Sequence, residues 1–211
     1  MLLENKHVVL ASGSPRRVLI LKENNIDFEI KKPTCEENIN TKLSPAQTVM
    51  ALALRKALSI GNVDGLILAC DTVVVHDGKI IGKPLNEQDA FNTLKELSGQ
   101  KHQVISGVCI FDCSKHVIAS EEKVIASEEN VIASEAKQSI KKLFYCTTNV
   151  YFKNYSDQEI WDYIKTGEPM DKAGSYAIQG EFAKYIDHIE GSYNNVVGFP
   201  FEMIKEEIEK I

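Results

Sequence analysis

No stretch of this chain approaches the roughly 18 consecutive apolar residues that a membrane-spanning helix needs. Residues 1–6 also lack the basic-then-apolar layout of a secretory signal. These two absences make a cytoplasmic protein with no membrane attachment the expectation. Positive charge is in short supply, with 24 Lys and Arg against 30 Asp and Glu and a net charge of −6. That sign argues against a nucleic-acid polymer as partner, because a phosphate backbone demands a basic surface. It leaves room for a small polyanion met by a local basic cluster and a metal. Cys-x-x-Cys does not occur, and the five cysteines, Cys35, Cys70, Cys109, Cys113 and Cys146, are odd in number and sit mostly in apolar runs. They read as buried thiols, not disulfides or a zinc site. The histidines show no His-Glu-x-x-His spacing and read as structural. Both glycine signatures of nucleotide-binding loops, Gly-x-x-x-x-Gly-Lys-Ser/Thr and Gly-x-Gly-x-x-Gly, are missing as well.

What is present is an ordinary globular composition: 211 residues, 44% hydrophobic and 26% charged. That suits one domain, or two small lobes around a cleft. Residues 7–11 read as a buried strand, followed by a turn and a helix start in which Ser14 is the N-cap and Pro15 the first helical residue. Ser44 and Gln47 have capping-box spacing at the head of a helix that Gly61 stops. Residues 65–70 and 72–75 are β-type, and Asp77-Gly78 marks a hairpin. A helix over 87–97 is capped by Asn86. Strands follow at 101–112 and 143–153, then a helix at 156–165, a strand-like run at 182–189 and an amphipathic helix at 200–211. Interleaved strands and helices predict the α/β class. One segment stands apart. Residues 117–123, 124–130 and 131–137 are tandem copies of Val-Ile-Ala-Ser-Glu followed by two variable positions. Their adjacent apolar residues do not make a heptad seam, so residues 114–142 read as an insertion between two paired strands.

Several residues have chemistry to offer. The turn Ser12-Gly13-Ser14-Pro15-Arg16-Arg17 opens a helix, whose unpaired N–H groups and positive dipole end attract phosphate. Two arginines there oppose the dipole unless an anion sits with them, and arginine grips phosphate with a planar fork. The plainer alternative is a capped helix with two solvated arginines. Asp71 follows the apolar run Leu66-Ile67-Leu68-Ala69-Cys70, and a carboxylate at the end of a buried strand is costly unless paired or metal-bound. Ligands of open α/β sheets collect at such strand ends; the alternative is an Asp that starts a turn. Glu36-Glu37 could add a second acidic ligand for Mg²⁺, or be a solvated loop. Lys56 and Lys83, taken singly, read as surface lysines. Residues 170–180 form a long loop whose glycines permit close backbone approach to a ligand, or a simple surface loop.

Taken together, these segments resemble the Maf family of nucleotide pyrophosphatases. The matching pieces are Ala-Ser-Gly-Ser-Pro-Arg-Arg (residues 11–17), Glu36-Glu37, Lys56, Asp71-Thr72, Gly82-Lys83-Pro84 and Leu97-Ser98-Gly99. They continue with Glu-Pro-Met-Asp-Lys-Ala-Gly (168–174) through Gln179-Gly180, and end with Val-Gly-Phe-Pro (197–200). They occur in the family's order over nearly the whole chain, residues 114–142 excepted. The resemblance implies a single domain over residues 1–211, with a mixed twisted sheet in two lobes around a nucleotide cleft. It implies hydrolysis of a nucleoside triphosphate to monophosphate and pyrophosphate with a divalent cation, Mg²⁺ or Mn²⁺. By position, Asp71 matches the proton acceptor and a metal ligand, and Glu37 a second metal ligand. Arg16, Thr72 and Gln179 match positions tied to base choice. Arg17, Lys56, Lys83 and Lys172 match the basic ring around the phosphates, with Ser12 and Ser14 in the same substrate-binding turn. Pro-Arg-Arg and Asp-Thr resemble the branch acting on dTTP and UTP. Ala177 departs from the glycine common there and bears on base preference. The expected partner is a small-molecule nucleotide, with a homodimer left open. A nucleotidyltransferase and a non-catalytic, nucleotide-binding regulator of cell division are the competing readings.

Overall fold

Hydrophobic strands and capped helices alternate along the chain to give an α/β protein. A computed structural model describes residues 6–36, 43–113 and 140–210. Its elements are β1 (Val8–Ala11), α1 (Pro15–Glu23), β2 (Glu29–Lys31), α2 (Pro45–Leu58), β3 (Leu66–His76), β4 (Lys79–Ile81) and α3 (Glu87–Leu97). They continue with β5 (Lys101–Asp112), β6 (Ile140–Phe152), α4 (Asp157–Ile164), β7 (Ile186–Glu190), α5 (Tyr193–Val197) and α6 (Phe201–Glu209). The sheet has seven strands in the order β2-β1-β3-β5-β6-β7, with β4 paired to β3. β1 runs parallel to both β2 and β3, while β3/β4 and β6/β7 are antiparallel. No helix among the described residues is long and apolar enough to cross a membrane.

The chain divides into two compact units, one of residues 1–71, 107–145 and 201–211, the other of residues 72–106 and 146–200. β3, β5 and β6 each pass from one to the other. In the first unit, Val9, Ala11, Ile67 and Ala69 of the parallel pair pack with Ala53, Ala57 and Leu58 of α2 and with Cys109 and Phe111 of β5. The approach of α2 is close enough to require glycine at 107: a Cβ there would lie 2.3 Å from the Val49 backbone. Ser44 and Gln47 start α2 with a reciprocal capping box. The helix ends at Leu58, three residues before Gly61, which at φ 76° completes the exit turn.

The second unit is built on aromatic rings. Phe182, fully buried, has ring centroids of Tyr155, Tyr163, Tyr185 and Phe152 within 4.7–5.4 Å. Truncating such a ring to alanine costs about 3–5 kcal/mol. α3 and α4 carry their apolar residues Ala90, Leu94, Leu97, Ile160 and Ile164 into the same core.

Most elements fall where the sequence puts them. One does not: residues 182–189 are not a continuous strand. A 3₁₀ segment, Glu181–Tyr185, precedes β7. Its threefold repeat puts Phe182 and Tyr185 on one buried face, whereas a strand would send residues three apart to opposite faces. The strand expected at 143 begins at Ile140. β2, only three residues long, and α5 gave too short a pattern to be expected. The tandem repeats at 117–137 lie outside the described residues. The cysteines are free thiols, four of them buried and Cys35 half-buried; burial raises the Cys109 thiol well above its usual range.

Candidate active site

In the first unit, β1 and β3 lie parallel with Ala11 opposite Ala69, so both carboxyl ends point the same way. The turn after β1 and the last residues of β3 in this unit therefore meet. Ser12 is buried, and its Oγ accepts from Ser14 N–H at 3.1 Å and from Arg17 Nη1 at 3.4 Å. Arg17 Nη1 also donates to the Cys70 carbonyl at 2.5 Å. The arginine that opposes the helix dipole is thus folded back over the end of β1 and the middle of β3, within reach of the turn. Asp71 follows Cys70, and Lys56 in the last turn of α2 places Nζ 2.6 Å from Asp71 Oδ1. Both side chains are 10% exposed. A pair this dry is expensive to build and is held by geometry. Ser14 takes the N-cap position with Pro15 behind it, but its side chain makes no capping bond. Arg16 is half-buried in the same first turn.

In the second unit, Thr72 Oγ1 lies 2.8 Å from Ser106 Oγ and donates to the Gly198 carbonyl at 3.3 Å. Lys172 is mostly covered, and its Nζ reaches the Glu168 carbonyl at 3.3 Å and the Asp171 carboxylate. The loop that carries it is folded as two short 3₁₀ turns, Glu168–Asp171 and Ala173–Ser175, not as an open loop. Gly174 N–H donates to the Gly82 carbonyl at 3.1 Å, tying that loop to the turn that bears exposed Lys83. The Glu168 carboxylate accepts from Glu181 N–H at 3.1 Å and closes the far end, next to exposed Gln179.

Against known families, residues 7–211 match the model described as Maf-like protein. The chain belongs to the Maf family. It is 39% identical over 213 aligned positions to a dTTP/UTP pyrophosphatase of Caldicellulosiruptor saccharolyticus, covering 98% of this chain and 95% of that one. It is 38% identical to a dTTP/UTP pyrophosphatase of a Geobacillus species, covering 98% of both. Among solved structures, the Staphylococcus aureus Ham1 protein aligns over 97% of this chain and 99% of its own at a TM-score of 0.47 and 11% identity.

Of the Maf residues singled out in the sequence, Ser12, Arg17, Lys56 and Asp71 come together in the first unit beside the end of β1; Asp71 is not at a strand end as expected but in the middle of β3, which runs on to His76. Thr72, Lys83, Lys172 and Gln179 belong to the second unit, where one backbone bond links the loops of Lys83 and Lys172. Glu37 lies outside the described residues. Among the described residues, no three or more His, Cys, Asp and Glu side chains group as a metal site. Asp71 has one oxygen engaged by Lys56, so a cation would meet its other oxygen and would need phosphate oxygens to complete its shell. Ser106 was not singled out in the sequence. The signal was there: a lone hydroxyl in the apolar run of β5, fully buried opposite Thr72.

Proposed function

We propose that this chain hydrolyses nucleoside triphosphates between the α and β phosphates, releasing monophosphate and pyrophosphate, with dTTP and UTP as preferred substrates. The observation that carries the reading is the buried Lys56–Asp71 pair beside the Ser12/Arg17 turn that follows β1. Identity of 38–39% over nearly the full length to proteins named dTTP/UTP pyrophosphatase supports it.

Asp71 takes the proton from the attacking water, the task of a general base within hydrogen-bond reach. Lys56 holds one carboxylate oxygen and so aims the other. Arg17, Lys83 and Lys172 stabilise charge on the departing pyrophosphate, as fixed cations do wherever charge develops. Ser12 and Ser14 present the turn, with the amino end of α1 behind it, to a phosphate. A divalent cation, Mg²⁺ or Mn²⁺, held by Asp71 and Glu37 with phosphate oxygens, would neutralise charge and supply a more acidic bound water. Arg16, Thr72 and Gln179 read the base. Gln179 offers both an amide donor and a carbonyl acceptor to a pyrimidine edge.

The deciding experiment is a turnover screen of common and modified triphosphates with Mg²⁺ and with Mn²⁺. Pyrophosphate released without any acceptor supports hydrolysis. Release that demands a second substrate would assign a nucleotidyltransferase instead, and binding without turnover a regulator.

A further inference from the structure

His102 is the second residue of β5, and its ring is 1% exposed. Its neighbours are aromatic: the Phe152 ring stands edge-on at 4.7 Å and the Tyr176 ring at 5.3 Å. A phenylalanine would fill such a place without polar atoms to satisfy. The histidine instead buries an Nδ1 that has no hydrogen-bond partner, a cost that packing alone does not explain. Its Nε2 lies 2.8 Å from the Tyr176 hydroxyl, itself buried.

Tyr176 directly follows a left-handed turn. Gly174 and Ser175 both have left-handed backbones, at φ 71° and 60°. A Cβ at Gly174 would come within 2.9 Å of the Val74 side chain. Left-handed backbone is ordinary for Gly174 but sparsely populated for Ser175, where it persists only if the surroundings over-determine it. Lys172 is four residues before Tyr176, Gln179 three after, and Gly174 is bonded to the turn bearing Lys83.

We propose that His102 is a positioning residue, which fixes Tyr176 by the Nε2–hydroxyl hydrogen bond and thereby sets the loop that presents Lys172, Gln179 and Lys83 to the nucleotide. This rests on the reading of those three residues as substrate-binding. His102 does not touch substrate; it acts through the phenol. The two groups belong to one bond, so removing either loosens the same loop, and removing both does no further harm.

The test compares His102→Phe, Tyr176→Phe, their double variant and His102→Gln, whose side-chain amide reaches the place of Nε2. Each is checked for folding by circular dichroism. KM and kcat for dTTP are measured together with amide hydrogen exchange across residues 172–180. His102→Phe and Tyr176→Phe are each expected to lower kcat/KM by about 10- to 100-fold, the scale of misplaced binding groups, mainly through KM. Exchange in the loop rises about 10-fold in both, the double variant matches the singles, and His102→Gln returns to within a few-fold of the parent. A folded His102→Phe or Tyr176→Phe protein with parental KM and parental exchange would overturn the proposal. So would losses that multiply in the double variant. If the parent chain releases pyrophosphate from no triphosphate, the catalytic reading fails on its own account, and the exchange data alone decide whether His102 anchors the loop.

Discussion

Lys56→Met separates the structural from the chemical role of the buried pair. Methionine keeps the length and much of the apolar stem of lysine but removes the ammonium 2.6 Å from Asp71 Oδ1. Both side chains are 10% exposed, so little water can take the place of the lost partner. Breaking one half of a buried pair costs about 3–5 kcal/mol, whereas surface pairs contribute roughly 0–1 kcal/mol. A chain of this kind has about 5–15 kcal/mol of total stability, so the loss is a large fraction and is readable by urea unfolding followed by circular dichroism. Asp71→Asn is milder. Its amide oxygen still accepts from Lys56, and the lysine stem can carry its charge toward water, so the expected stability loss is about 1–3 kcal/mol. In turnover the order reverses for the folded proteins: Asp71→Asn lacks the proton acceptor and should lose roughly 100-fold or more in kcat. Lys56→Met unfolding within about 1 kcal/mol of the parent would refute the buried pair, since that is the surface scale. Near-normal kcat in Asp71→Asn would refute the base.

Three further outcomes are expected. In side-by-side kcat/KM measurements, dTTP and UTP are turned over faster than dATP and GTP; a purine preference would overturn the roles given to Arg16, Thr72 and Gln179. Because β5 and β6 are sheet neighbours, replacing residues 114–139 by an Asn-Gly link leaves kcat/KM within a few-fold, consistent with the slow growth of loop-closure cost with length; a large loss in a folded variant would place the repeats in the active site. His102 has its pKa lowered from 6.5 to about 3, first by burial and then by His76. The unfolded chain therefore binds the extra proton first as pH falls, so this contribution is complete above pH 6.5 and drains away between 6.5 and 3. Between pH 7 and 5 the parent should lose about 2 kcal/mol relative to His102→Phe; equal pH dependence of the two in urea titrations would refute the buried neutral imidazole.

The sequence was most legible where one residue determines one local geometry. Ser44 with Gln47 and Ser156 with Glu159 form the reciprocal capping boxes their spacing announces, and Asp77-Gly78 turns the β3/β4 hairpin with both residues at positive φ. Such signals need only neighbours in the chain. The 3₁₀ segment at 181–185 looks like a strand in sequence because its Phe and Tyr suit strands, and only their spacing of three points to the tighter helix. What overrode propensity there was a core of rings from distant positions, among them Phe152 and Tyr163.

The candidate site shows the same division. Ser12, Arg17 and Asp71 are nameable from residue type and from the turn or apolar run beside them, and Lys56 from the Maf motifs alone, yet nothing in the chain says that Lys56 meets Asp71 or that Arg17 reaches the Cys70 carbonyl. The Arg17 contact exists because β1 and β3 pair parallel in one register, and the Lys56 contact because α2 packs on those same strands; both are long-range facts. Ser106 and His102 are silent in the sequence for a related reason: a polar residue in a strand has no meaning until its partner is known. Thr72 stands 34 residues from Ser106, and Tyr176 stands 74 from His102. A buried hydroxyl or imidazole needs such a partner. A buried polar residue in a strand is therefore a pointer to a distant contact, and in this chain both pointers end on residues next to, or in, the segments that the family motifs mark.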